Sequence, residues 1–372
     1  MSASDGQRAS DNPREIAEQH FRRAAELYGK GNLDAAIAEL HAALRLQPND
    51  PEAHHNLGMM LRQKGESKAA IAEFRSALRL DPNNFDAHYI LGEILRDMGD
   101  LNGAAREYRA ALQLRPEDLD AHTNLGNVLE ESGDLDRATD EHRTTLRLNP
   151  NYALGHYNLG RMLAGKGDIN GALEEFKSAI HLDPNYADAH NNLGAALIQK
   201  GDLQGGIAEL RTALRLNPRD SRAHNNLGNA LIAEGKVEDA ITEFRTATSI
   251  DPNNANAHFN LGTALGRNGN SDGAISEYRA ALRLKPGDAD AHKNLGNALG
   301  NKGDLVGAIA EFRAAVRISP KQPIFHYSLG LALEAKGDLK AALTEYRRCL
   351  ELDPNDAYAK IKYRNLSARF SD

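Results

Sequence analysis

Glycine returns at a fixed interval of 34 residues, from Gly31, Gly65, Gly99 and Gly133 onward to Gly337, and ten prolines from Pro48 to Pro354 keep the same interval. No other feature restricts this chain as much. A strict period over most of 372 residues demands that each repeat be one small supersecondary motif burying its apolar face against its neighbours. The register runs without insertion from Ala17 to Asp356 and defines ten repeats, beginning at Ala17, Pro51, Phe85, Leu119, Ala153, Ala187, Ser221, Ala255, Ala289 and Pro323. Length alone would suggest two or three domains; the period replaces them with one array that shows no linker.

Two helices are written into each repeat. Position 4 is His in all ten, position 7 is usually Leu, position 8 usually Gly and position 11 always Leu, as in His190, Leu193, Gly194 and Leu197. That spacing is one stripe of a first helix, A, and the small residue at 8 lets a second helix approach closely. Gly at position 15 closes helix A in a left-handed conformation, and Asp or Asn at position 16 in eight repeats caps helix B, with Glu66 and Lys236 as exceptions. Helix B then places apolar or small residues at 17, 20, 24, 27, 28 and 30, for example Leu305, Ala308, Phe312, Ala315, Val316 and Ile318, until the proline at 32 stops it.

Leu at 7, Gly at 8, Ala at 20, Phe or Tyr at 24, Ala at 27 and Pro at 32 together resemble the tetratricopeptide repeat. The resemblance covers 17–356 and implies an all-α fold: a right-handed superhelical solenoid of antiparallel helix pairs, A helices lining a concave groove. Residues 1–16 read as a disordered segment, Met1 to Ser10, followed by Asp11-Asn12-Pro13 as cap and first turn of a lengthened first helix. Residues 357–372 read as a C-terminal capping helix, with Lys360 and Arg364 barring a further repeat and Ile361 and Leu366 covering the last one. His142, Thr145 and Gly206 depart from the pattern at packing positions and mark expected soft spots.

Composition agrees with helices docked through small residues: 41% hydrophobic, only 5% aromatic and no Trp. A net charge of -7 gives no general attraction to nucleic-acid phosphates or anionic membranes. One cysteine, Cys349, can form neither an internal disulfide nor a thiolate metal cage, which fits a reducing, cytoplasmic setting. No signal-peptide core and no long apolar span is present.

Nothing in the chain assembles catalysis. Nucleophile elbows, phosphate loops, dinucleotide motifs and zinc-protease helices are missing, and no cofactor or metal is implied. The position-4 histidines, His20 to His326, recur one helix-packing distance apart, about 10 Å, too far to share an ion. They read as packing residues whose pKa values burial lowers, so that acid weakens the fold. Glu at position 23, Glu39 to Glu345, reads as a solvated or intrahelical pairing row, and the basic residues at 25 as a solvated face.

One polar row is harder to dismiss. Position 6 is asparagine in seven repeats, Asn56, Asn124, Asn158, Asn192, Asn226, Asn260 and Asn294, and Asn127, Asn229 and Asn297 follow one turn on. Asparagine is a mediocre helix former, so its recurrence mid-helix asks for a cause. A primary amide can donate and accept at once, so a ladder of them grips the backbone of an extended chain whatever its sequence. The ladder resembles the one in the repeat arm of O-linked N-acetylglucosamine transferase, which implies protein substrates held by their main chain. Tyr89, Tyr157, Phe259 and Tyr327 at position 5 flank it and offer apolar purchase. Lys293 and Asn297 begin a clamp for a C-terminal carboxylate, but Ser328 interrupts it.

The sequence therefore specifies a scaffold that binds an extended protein segment from about Asn124 to Asn297, with no nucleic-acid or membrane partner and a possible weak self-association through its ends. Alternatives are a stand-alone substrate arm for a separate glycosyltransferase, a self-assembling scaffold and, more remotely, a helical RNA binder.

Overall fold

The structure, a computed structural model, describes residues 12–370. The disorder expected of Met1–Ser10 lies outside this range. The chain divides into two compact halves, Met1–Asp183 and Pro184–Asp372. In the first, the A helices α1 (Pro13–Gly29), α3 (Pro51–Gln63), α5 (Phe85–Asp97), α7 (Leu119–Glu131) and α9 (Ala153–Gly165) alternate with the B helices α2 (Leu33–Leu46), α4 (Ser67–Leu80), α6 (Leu101–Leu114), α8 (Leu135–Leu148) and α10 (Ile169–Leu182). In the second, A helices α11 (Ala187–Lys200), α13 (Ser221–Glu234), α15 (Ala255–Arg267), α17 (Ala289–Asn301) and α19 (Pro323–Lys336) alternate with α12 (Leu203–Leu216), α14 (Val237–Ile250), α16 (Ser271–Leu284), α18 (Leu305–Ile318) and α20 (Leu339–Leu352), and α21 (Ala357–Ser367) closes it. The described residues hold helices only, in tandem pairs.

The punctuation works as its chemistry demands. All ten position-15 glycines have positive φ, between 76° and 97°, a region that costs an L side chain energy. Asp or Asn at position 16 accepts from the N–H three residues on, as Asp100 does from Gly103 at 2.8 Å, whereas Glu66 and Lys236 make no cap bond. A second cap escaped the sequence reading: position 34 carries Asp or Asn in seven repeats, such as Asp118, whose carboxylate accepts from Ala121 N at 2.8 Å and starts the next helix A, whereas Tyr152, Tyr186 and Gln322 make no cap bond.

Pairs close through position 8. A Cβ at Gly228 would lie 2.6 Å from the Phe244 ring, at Gly160 2.7 Å from Phe176 and at Gly330 2.6 Å from Tyr346. The position-24 side chains therefore seat against bare backbone and line up as a column within each half: Leu40, Phe74 and Tyr108 in the first, Leu210, Phe244, Tyr278, Phe312 and Tyr346 in the second.

Repeat four breaks the column. His142 is 0% exposed at position 24, and neither ring nitrogen has a hydrogen-bond partner. Thr139 and Thr145, also buried, return their hydroxyls to the Leu135 and His142 carbonyls. Gly206 corrects an expectation: it is a tight contact and no soft spot, since a Cβ there would meet Ile198 Cγ1 at 2.4 Å and the Gly194 carbonyl oxygen at 2.7 Å. Backbone touches backbone between α11 and α12, and the smaller Leu210 at position 24 belongs to the same close approach.

Helix α21 buries Leu366, 3% exposed, and Ala359, whereas Ile361, expected to share the covering with Leu366, is 59% exposed. Residues 359 and 366 stand two turns apart on one stripe, while 361 lies about 200° round from 359. Lys362 adds a tie to Glu334 of α19 at 3.1 Å.

Nine repeats carry alanine where Gly206 stands, so Gly206→Ala restores the pattern and improves helix propensity. It is nevertheless expected to destabilise the second half by about 1–3 kcal/mol through overpacking, read as a lower urea midpoint of α11–α12 by hydrogen exchange. A gain in stability would show that the two helices separate without cost.

Candidate functional site

Three of the position-6 asparagines, Asn124, Asn226 and Asn260, are tied sideways to the preceding A helix. Asn226 Nδ2 donates to Asn191 Oδ1 and Asn260 Nδ2 to Asn225 Oδ1, each at 3.0 Å, so position 6 of one A helix bonds position 5 of the preceding one. Asn191 in turn donates to Asn192 at 3.3 Å. In the first half Asn124 Nδ2 donates to Tyr89 Oη at 2.7 Å, and burial pushes that phenol up to about 12. Sequence reasoning missed Asn191 and Asn225; the doubled asparagines at 191–192 and 225–226 were the available signal.

Each bond uses one of an amide's two N–H groups and holds the plane of the rest. Asn294 is half-buried beside the Tyr278 hydroxyl, while Asn229 and Asn297 are exposed. Asn127 is half-buried, and Asn56 lines a small apolar recess with Phe21, Tyr28 and Met59. Two expected contacts fail: Asn158 is 3% exposed and Tyr157 8%, both inside the packing of α9, and neither has surface for a ligand.

The aromatics at position 5 are floor more than projections. Tyr89 meets Tyr108 edge-on at 5.7 Å, Tyr157 lies 6.2 Å from Phe176, and Phe259 and Tyr327 lie 5.9 Å from Tyr278 and Tyr346. Each ring covers the position-24 residue of its own repeat. Tyr89, Phe259 and Tyr327 keep partial exposure.

The two halves differ in charge beside the row. In the first, positions 9, 12 and 13 hold ion pairs between successive A helices: Arg62 with Glu93 at 2.9 Å, Arg96 with Glu131 at 2.5 Å and Arg161 with Glu130 at 2.5 Å. In the second, positions 9 and 12 of repeats six to nine are Ala195, Ile198, Asn229, Ile232, Thr263, Gly266, Asn297 and Gly300, all uncharged; position 13 adds one charge, Arg267, and Glu334 at position 12 of repeat ten pairs with Lys362 of α21.

The histidines at position 4 are joints. In all ten repeats Nδ1 lies 2.5–2.7 Å from Oε2 of the position-23 glutamate, linking helix A to helix B. In nine, Nε2 lies 3.0–3.2 Å from the carbonyl of the proline ending the preceding repeat. The glutamates are thus partners of histidine and not the solvated row that sequence reasoning expected. For His88 and His122 the hydrogen bond to Glu107 or Glu141 raises the pKa above the usual value, against the opposing effect of burial. A carboxylate and a carbonyl both accept, so the imidazolium satisfies both sides. The expected depression of these histidines is overturned by that geometry.

Tetratricopeptide-repeat models match the chain at residues 92–133, 160–201, 195–233 and 228–269, at 21–85 and 259–323, at 323–356 and at 73–106. The chain belongs to the tetratricopeptide-repeat family. No curated protein sequence matches it significantly. Among solved structures it is similar to a chain of the APC/C hetero-tetramer Cut9-Hcn1, at 17% identity over 94% of this chain and 76% of that one, TM-score 0.56. A tetratricopeptide-repeat protein from Parabacteroides merdae aligns at 20% identity over 68% and 99%, TM-score 0.53. PilF of Pseudomonas aeruginosa aligns at 19% over 58% and 97%, TM-score 0.52. At these identities the likeness concerns the fold.

The matched stretches leave out 134–159, the part of the tetratricopeptide-repeat array that holds Thr139, His142 and Thr145. Burial, with Arg161 adding to it, lowers His142 to about 4. Repeat four therefore joins two titrations of opposite sign. His122, raised when folded, contributes stability that is full below about pH 6.5 and fades as pH rises through its folded value. His142, depressed when folded, contributes stability present above about pH 6.5 and lost, by about 3 kcal/mol, as pH falls toward 4. Hydrogen-exchange protection of α7 and α8 is expected to peak near neutral pH. His142→Phe should remove the acid-side loss and Glu141→Gln the alkaline-side loss; unchanged profiles in both variants would refute the assignment.

Proposed function

We propose that this tetratricopeptide-repeat chain is a protein-interaction scaffold that holds an extended peptide segment along the A-helix face of its second half, from Asn192 to Asn297. The observation that carries the reading is the sideways tether of Asn226 to Asn191 and of Asn260 to Asn225, at 3.0 Å each. A tethered amide has lost its rotational freedom before the ligand arrives, so its remaining N–H and its carbonyl engage a peptide group at low entropic cost. The uncharged residues at positions 9 and 12 support the same reading, since a backbone ligand needs no charge partner and meets no fixed ion pair there. The repeat family and the tandem helical arrays it is similar to support the broader scaffold role. In the first half the equivalent face is occupied by ion pairs between its own helices, which favours the second half for such a ligand. No described helix is long and apolar enough to cross a membrane.

The deciding experiment compares proteins recovered from a lysate by wild type and by the combined Asn226→Ala, Asn260→Ala and Asn294→Ala variant at a temperature where both keep the same helicity. Partners bound by wild type are expected to be lost from the variant, while Asn56→Ala in the first half leaves recovery unchanged. Equal recovery by all three proteins would reduce the asparagines to joints between helices.

A further inference from the structure

Outside the asparagine row, two arginines break the repeat pattern at neighbouring places. Position 22 is Ala, Ser, Thr, Asp or Glu in nine repeats and Arg only in the third, Arg106; position 19 is Ala, Gly or Asp in nine and Arg only in the fourth, Arg137. The repeats act as one another's controls, so neither arginine is a requirement of the fold. The structure brings the two into one open cleft of ≈ 460 Å³, shared with Arg109, Asn102, Ser132 and Asp134 between α6 and the turn that starts α8.

One carboxylate stands against three guanidiniums in this cleft. Asp134 is engaged: it caps α8 by accepting from Arg137 N at 3.3 Å and pairs with Arg137 Nε at 3.0 Å. Glu107, next to Arg106 in the chain, is turned to His88 at 2.6 Å. Arg106 and Arg109 form no ion pair among the described residues, although they stand three apart on one helix, where like charges repel by a few tenths of a kcal/mol. Repeats four and five carry an acid at this place: Asp140 and Glu174 at position 22 pair with Arg143 and Lys177 at 3.6 and 3.2 Å. Repeat three has Arg106 there instead, and Arg137 adds a third guanidinium to the cleft.

We propose that this cleft binds an oxyanion borne on a protein segment, a side-chain carboxylate or phosphoryl group, with Arg106, Arg109 and Arg137 as its donors. Guanidinium forks suit both oxyanions through bidentate hydrogen bonds. Arg109 belongs to the basic row at position 25, and Arg106 and Arg137 add to it only here, making a local cluster in a chain of net charge -7; a ligand that followed the row instead would be a nucleic acid, through its successive phosphates.

The test titrates the full chain with three labelled peptides of identical glycine-serine sequence whose two central residues are serine, glutamate or phosphoserine, and with a dodecamer of thymidylate. Anisotropy is read at low and physiological salt. An acidic peptide is expected to bind and the serine peptide not; glutamate and phosphoserine equal points to carboxylate, phosphoserine tighter to phosphoryl. Arg106→Gln and Arg137→Gln should each weaken binding about tenfold, the loss of one hydrogen bond to a charged group, while Arg211→Gln, at position 25 where position 22 is alanine, leaves it unchanged. The proposal falls if the double variant binds undiminished, if Arg211→Gln weakens binding equally, if no acidic peptide binds, or if the thymidylate binds tightest.

Discussion

Nine of the ten repeats close because nothing but hydrogen stands at position 8. The position-24 side chain of helix B lies where the Cβ of helix A would be, within 2.6–3.0 Å in nine repeats. That one approach sets the distance within a pair and puts the large side chain in the middle of the layer, where the next repeat packs on it. Cores with so few aromatics gain their burial from this interlocking of small and large residues. Where the large partner is Leu210 and position 20 is glycine, the pair closes further still; where it is His142, apolar contact gives way to two unbonded nitrogens.

Helix pairs need a second device to stack in register, and the position-4 histidine supplies it. Its two nitrogens face different elements, the glutamate of its own helix B and the carbonyl that ends the preceding repeat. Hydrophobic burial is indifferent to small slides between layers, whereas a histidine with two directed bonds is not. The asparagines at positions 5 and 6 repeat the device on the A-helix face. On that face the amides that lock register include those proposed to meet a ligand.

Nearly all of the fold was legible in the chain, since period, glycine, cap and proline each have one local meaning. The site was legible only as a row. That Asn158 is buried while Asn229 is exposed depends on neighbours three dimensions away, and a one-dimensional pattern treats both as asparagine on a helix A. The histidine–glutamate joint was missed for a related reason. Both members were visibly invariant, 19 residues apart, yet only the angle between the helices shows that they meet, and at His88 and His122 the pairing reverses the sign that burial alone gives to a histidine. Gly206 misled for the opposite reason: propensity reads glycine as a weakness, whereas the close approach makes it a requirement.

The histidine joint also gives the array a direction. Each histidine finds its second acceptor on the repeat that precedes it in the chain, at the proline carbonyl, and offers nothing equivalent to the repeat that follows. As a nascent chain leaves the ribosome from its N-terminus, every emerging A helix meets an acceptor already in place. The finished edge of each repeat is therefore a template for the one that follows it in the chain, and the array has no matching template in the other direction.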